Sequence, residues 1–372
     1  MAKFAYRPIG IVVLIFLVAV MLYNSRLYYR PSPQPLDMPE VHGDSKASEP
    51  KVSEGLIQEG TANAVMLMLA RNSELEGAVS SVKQLEEKFN RRYRYPWVFL
   101  NEEPFTDEFR QQVAAVTSSN VSFGLIPHED WFQPDWIDEE KAKAGRDVLV
   151  KQNIIYGDSV SYRNMCRFQS RAFYKQELVL PYRWYWRVEP HVAFHCDMDF
   201  DPFAYLHNNK KVYGFNLAVY EWMETIPSLW ATVKEFVRLH PQYIAPNNSM
   251  EFISDDDGSK YNGCHYWSNM EIADMEFWRG AAYTAYVNYL EGTGGFYYER
   301  WGDAPVHTMG VSLFLPKDKI HFFDQIGYTH EPHSHCPQDL DFRAEHCRCQ
   351  PGRSIDWLDY SCYPKWFYMQ RR

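Results

Sequence analysis

Three apolar runs, separated by amphipathic spans, open the body of this chain and dictate its fold class. Asn63 to Ala70 reads NAVMLMLA, Tyr95 to Glu102 reads YPWVFLNE, and Val121 to Ile126 reads VSFGLI. A continuous apolar run is what a strand buried on both faces requires. After the first run, Leu75, Val79, Val82, Leu85 and Phe89 mark one helical face, and Ser73 with Glu76 has capping-box spacing. Thr106 to Val116 predicts a second helix. Strand, helix, strand in this order builds an open, doubly wound α/β sheet of the nucleotide-binding style.

The alternation continues less regularly. Leu178 to Val188 and Val212 to Tyr220 read as strands, and Ile226 to His240 as a helix. IADMEFWRGAAYTAYVNYLE reads as one long helix, Asp303 to Leu315 as a shorter one, and Ile320 to Phe323 as a late strand. There is no Walker loop and no GxGxxG, which disfavours a P-loop kinase and a Rossmann dehydrogenase. A net charge of -10 argues against nucleic acid as a partner, since phosphate backbones recruit basic surfaces.

The N-terminus carries a targeting signature. Residues 1–8 hold Lys3 and Arg7 and are expected to be a cytoplasmic tail. Residues 9–23 are uncharged and apolar, with no small-residue cleavage site after them, so a signal anchor is expected rather than a cleaved signal. The run is shorter than the roughly 20 residues of an average span, which suits a thin bilayer of the early secretory route. Residues 24–59 contain Pro31, Pro33, Pro35 and Pro39 and read as an extended stem, leaving 60–372 as the globular body. The sequons Asn120-Val121-Ser122 and Asn247-Asn248-Ser249 fit a lumenal body. Seven cysteines in an oxidising lumen imply about three disulfides and one leftover thiol.

Chemistry concentrates in YRWYWRVEPHVAFHCDMDFDPF, Tyr182 to Phe203. An aromatic-rich strand is followed by Glu189, His191, His195, Asp197, Asp199 and Asp201. Ligands of open α/β sheets gather where strands end, and carboxylates with imidazoles suit Mn²⁺. The three aspartates read either as a cation loop or as solvated caps and turns; an EF-hand's Gly and terminal Glu are missing. His330, His333, His335, Cys336, His346, Cys347 and Cys349 form a later cluster. Disulfides are the better reading of its cysteines, and one histidine is free to serve the central metal. Glu271 lies among aromatics near an expected helix start, either a buried functional carboxylate or a first-turn acid. Glu299, Arg300 and Asp303 either bind hydroxyls and phosphate or form an internal salt bridge.

YRWYWRVEP, SYRNMCRF, HYWSNMEIADMEFWR, GGFYYERWGDAPVH and HFFDQIGYTH together resemble the fungal α-1,2-mannosyltransferases of glycosyltransferase family 15, over roughly Ala62 to Cys362. The resemblance implies a GT-A-like α/β fold with a mixed, mainly parallel central sheet. It implies a single-pass type II protein of the Golgi membrane. The activity implied is Mn²⁺-dependent, retaining transfer of mannose from GDP-mannose to mannose-terminated N- or O-linked glycans of glycoproteins. By the same resemblance, Glu189 and His330 are the metal ligands, Glu271 the nucleophile, and Tyr162 a neighbour of the reacting sugar. Arg187 and Asp303 are then donor-side contacts, with Arg71 toward the nucleotide. Two departures stand out: His191 where the family commonly has Asp, and Asp199 where it often has a neutral residue. The first means either a weaker metal site or a position that never was a ligand.

Retention of configuration admits two routes. Either Glu271 attacks the anomeric carbon and is then displaced, or the acceptor attacks on the face from which GDP leaves. The competing function is a lumenal metal-dependent glycan hydrolase or phosphodiesterase built on the acid cluster.

Overall fold

The computed structural model describes residues 55–371. The expected tail, anchor and nearly all of the expected stem lie outside the described residues. Among the described residues, no helix is long and apolar enough to cross a membrane.

The strands in chain order are β1 (Ala64–Leu69), β2 (Trp97–Asn101), β3 (Val121–Leu125), β4 (Trp184–Arg187), β5 (Ala193–Phe194) and β6 (Tyr213–Phe215). They continue with β7 (Ala218–Tyr220), β8 (Cys264–Tyr266), β9 (Glu271–Asp274), β10 (Ile320–Phe322), β11 (Tyr328–His330) and β12 (His333–His335). The central sheet has seven strands in the order β10-β6-β9-β4-β1-β2-β3. Only β9 runs antiparallel to its neighbours, so the sheet is mixed and mainly parallel, as expected.

Alternation along β1 shows why the sequence reads as continuously apolar. Ala64, Met66 and Met68 enter one core, and Val65 and Leu67 enter the other. Helices cover both faces, so neither side of the strand meets water. Burying each larger apolar side chain contributes about 1.5–3 kcal/mol before chain entropy is counted.

Topology fixes the site. From β1 the chain builds outward to β2 and β3, then returns to lay β4 on the other flank of β1. The strand order therefore reverses between β1 and β4, and a crevice opens at their carboxyl ends.

Three local expectations are corrected. The capping box is not Ser73 with Glu76: Glu74 accepts from the backbone N–H of Arg71 at 2.8 Å, and a short 3-10 turn precedes the helix Leu75–Leu85. The expected long helix from Ile272 is a strand followed by two helices. Glu271–Asp274 pairs between β4 and β6, Asp274 caps Met275–Arg279, and Gly280 adopts extended ψ before Ala281–Gly292. A strand buried on both faces shows no period-2 signal, so apolar content alone could not separate it from helix. The run 212–220 is two strands, because after Phe215 the chain leaves the central sheet and β7 pairs with β8.

The disulfides are Cys196–Cys347, Cys264–Cys362 and Cys336–Cys349, with Cys166 buried and free, matching the expected count. Asn120 and Asn247 of the two sequons are both exposed.

Candidate active site

A cleft of about 670 Å³ lies over the crevice, a size suited to a small-molecule ligand. Arg71 enters it from the end of β1, Arg187 and Glu189 from β4, and His330 from β11. Tyr162 comes from the first turn of the helix Val160–Arg171, and Asp303 from the start of the helix Asp303–Phe314. The fold thus gathers six of the expected site residues from five separate chain segments. Glu271 is not among the lining residues.

Arg187 is the hub. Its Nε donates to Glu189 at 2.6 Å and its Nη1 donates to Asp303 at 2.6 Å, with the guanidinium side chain only 7% exposed. Ser268 Oγ adds a bond to Asp303 at 2.7 Å. Burial alone would raise the Asp303 carboxyl, but Arg187, His307 and Ser268 together hold it below the usual carboxylate range. Burial wins at Glu189, whose carboxyl is raised against the pull of Arg187. The two carboxylates, flanking one cation, are therefore pushed in opposite directions.

The metal assignment fits the donor set. Arg187 engages only one oxygen of Glu189, and among the described residues the other has no hydrogen-bond partner. Burial, and then the charge of Arg187, lower the His330 pKa, so its ring stays neutral and can ligate. One carboxylate and one imidazole suit Mn²⁺ when substrate oxygens and water complete the shell. Among the described residues, the only convergent group of three metal-type ligands is Cys196, Cys347 and Cys349, all of them disulfide-bonded.

Tyr162 stacks on Tyr156 with centroids 4.6 Å apart, and the Arg300 guanidinium lies 5.1 Å over its ring. The nearby Cys166 and burial push its phenol well above the ordinary value, so it remains a hydrogen-bond donor. Arg71 bonds Glu102 at 3.0 Å and Ser161 at 2.6 Å, bridging the ends of β1 and β2 to the helix start.

Glu271 sits one layer behind the cleft. It is wholly buried; Tyr185 donates to one oxygen at 2.7 Å, Tyr213 to the other at 3.0 Å, and His307 Nδ1 lies 3.1 Å from that second oxygen. A nucleophile must present a lone pair to the sugar carbon. Here both oxygens carry hydrogen bonds and Glu271 is not in the cleft lining, so the structure does not bring the expected nucleophile together with the other site residues.

The conspicuous aspartates do not converge. Asp197 pairs with Lys88 at 2.8 Å at the surface, and Asp199 is exposed. Asp201 caps the helix Pro202–Asn208 and accepts from Tyr95. His191 has φ 62°, packs its ring on Gly77 and is not among the cleft-lining residues. His191 therefore does not join Glu189 and His330 at the cleft lining. In the late cluster, His335 is locked between Asp356 and the Asp324 carbonyl, each at 2.9 Å. Glu299 accepts from the Trp301 indole at 2.6 Å and from Ser228, a structural role, whereas Arg300 lines the cleft.

Sequence reasoning missed Trp267, Ser268, His307 and the wall residue Trp222. Trp267 stands between His330 and His333, with ring centroids at 5.3 and 4.9 Å. The only available signal was that Trp267, Ser268 and His307 lie inside motifs already singled out.

Comparison with known proteins converges on one family. The model of the family described as glycolipid 2-alpha-mannosyltransferase matches residues 32–371. Glycolipid 2-alpha-mannosyltransferase 2 of Candida albicans is 51% identical over 305 residues, which cover 82% of this chain and 66% of that relative. Alpha-1,2 mannosyltransferase KTR1 of Saccharomyces cerevisiae is 43% identical, covering 98% of this chain and 94% of its own. The structure of core-mannan synthase A (CmsA/Ktr4) from Aspergillus fumigatus, in its Mn/GDP form, superposes with a TM-score of 0.78 at 39% identity, covering 83% of this chain and 85% of that one. The central sheet is thus that of a GT-A-like glycosyltransferase, and the chain belongs to the glycolipid 2-alpha-mannosyltransferase family.

Proposed function

We propose that this chain is a retaining α-1,2-mannosyltransferase. It moves mannose from GDP-mannose to the 2-hydroxyl of a mannose-terminated N- or O-linked glycan. The observation that carries this reading is the meeting of Glu189, His330 and Arg187 in one cleft at the reversal of strand order, in a chain of this family. The same cleft admits a nucleotide along Arg71 and the ends of β1 and β2.

Glu189 and His330 would hold Mn²⁺, which when bound neutralises charge on a diphosphate leaving group. Arg187 orients Glu189 and keeps Asp303 ionised from the opposite side. One oxygen of Asp303 takes both Arg187 and Ser268, leaving the other for a sugar hydroxyl. Tyr162 supplies a neutral phenol beside the reacting sugar. Because Glu271 is covered, attack on the face from which GDP leaves is the route the geometry supports. The hydrolase and phosphodiesterase reading loses its basis, since none of Asp197, Asp199 and Asp201 lines this cleft.

The proposal extends to location. Residues 9–23 anchor the chain as a single-pass type II protein in the Golgi membrane, and residues 24–59 form a stem. The three disulfides support an oxidising lumen for the body.

The test is incubation of the purified chain with GDP-mannose, Mn²⁺ and α-methyl-mannoside. A 1,2-linked disaccharide plus GDP is expected. Free mannose without disaccharide would contradict transfer.

A further inference from the structure

The β7–β8 ribbon contributes part of the cleft wall through Val219, Tyr220 and His265. Tyr220 and Trp222 line it, yet remain 38% and 46% exposed. A third ring, Tyr360, lies just outside, 45% exposed and 5.4 Å from His333, which itself lines the cleft. A lone exposed aromatic needs no explanation, but three together at the mouth of a cleft do.

These rings are held in place. The Tyr220 N–H donates to the Tyr360 carbonyl at 3.3 Å, and the Cys362 N–H donates to Ala218 at 2.9 Å. The Cys264–Cys362 disulfide ties the segment carrying Tyr360 to β8. A residue in a turn is thereby fixed beside the cleft by a covalent bond and two backbone bonds.

We propose that Tyr220, Trp222 and Tyr360 form a second sugar subsite, which takes the residue next to the reacting mannose in an acceptor oligosaccharide. This rests on the mannosyltransferase reading and deepens it. With the nucleotide assigned to Arg71 and the ends of β1 and β2, these rings are left to the acceptor. Exposed aromatic faces suit the C–H faces of pyranose rings. Glu221, between Tyr220 and Trp222, lines the same wall and disfavours an anion, which points to a neutral sugar.

The test compares kinetics with α-methyl-mannoside and with an α-linked mannotriose as acceptors. Wild type is expected to have the lower KM for the triose. Tyr360→Ala raises that KM roughly three- to tenfold, leaves the monosaccharide KM and kcat unchanged, and Tyr360→Phe restores the wild-type value. An unchanged triose KM in Tyr360→Ala, or equal weakening of both acceptors, overturns the subsite. Wild-type protein inert toward both acceptors overturns the transfer reading itself, and the subsite with it.

Discussion

His307 Nδ1 and Glu271 Oε2 lie 3.1 Å apart, and neither side chain is exposed. Burial opposes charge on the imidazole, but Glu271 wins and raises the His307 pKa. The pair, with Tyr185 and Tyr213, sits directly behind Asp303, one helical turn from His307. A broken buried ion pair is costly, so Glu271→Gln is expected to destabilise the fold by about 3 kcal/mol. Transfer should persist within about a hundredfold of wild type, with GDP binding intact. Thermal melts and steady-state rates check this together. A loss of more than about a thousandfold at an unchanged melting temperature would restore the nucleophile role.

Arg187→Met removes the cation between Glu189 and Asp303, leaving two nearly buried carboxylates unpaired. Stability should fall by about 3–5 kcal/mol in chemical denaturation. Arg187→Lys should recover only part, because an ammonium lacks the guanidinium fork that serves both partners. Full recovery by lysine would contradict the hub role.

Tyr162→Phe deletes a phenol and little packing. The expected effect is a fall in kcat of about tenfold or more, with the GDP-mannose KM within about twofold. A raised KM at constant kcat would make Tyr162 a ground-state contact instead.

His335 gives a pH signature away from the cleft. Burial opposes its charge, but Asp356 prevails and the folded pKa is raised above the usual histidine value. The protonated form is thus favoured by folding, and its stabilisation is complete below about pH 6.5. It declines as pH rises through the folded pKa. The melting-temperature gap between wild type and His335→Gln should therefore be widest in acid and narrow toward pH 9. A gap that widens with pH would reverse the assignment.

Much of this architecture was legible in the sequence because β1, β2 and β3 are short apolar runs with an amphipathic helix after each of the first two. Glu189 was legible because it directly follows a strand, where α/β sheets place ligands. Glu271 was misplaced because a strand buried on both faces looks like helix. Its three capping donors come from β4, β6 and a distant helix, which local sequence does not announce. The cluster at Asp197, Asp199 and Asp201 left a cation loop and solvated caps or turns both open. Acids are common in caps and exposed turns, and only tertiary placement separates those from ligands. Tyr220 and Tyr360 carry no motif; a backbone bond between them and the Cys264–Cys362 disulfide bring their segments together.

The most direct measurement is calorimetric binding of GDP with and without Mn²⁺, for wild type, Glu189→Ala and His330→Ala. The account predicts Mn²⁺-dependent GDP binding in wild type, weakened by at least about tenfold in either variant while both stay folded. GDP binding by both variants with wild-type affinity and Mn²⁺ dependence would contradict the assignment of this cleft.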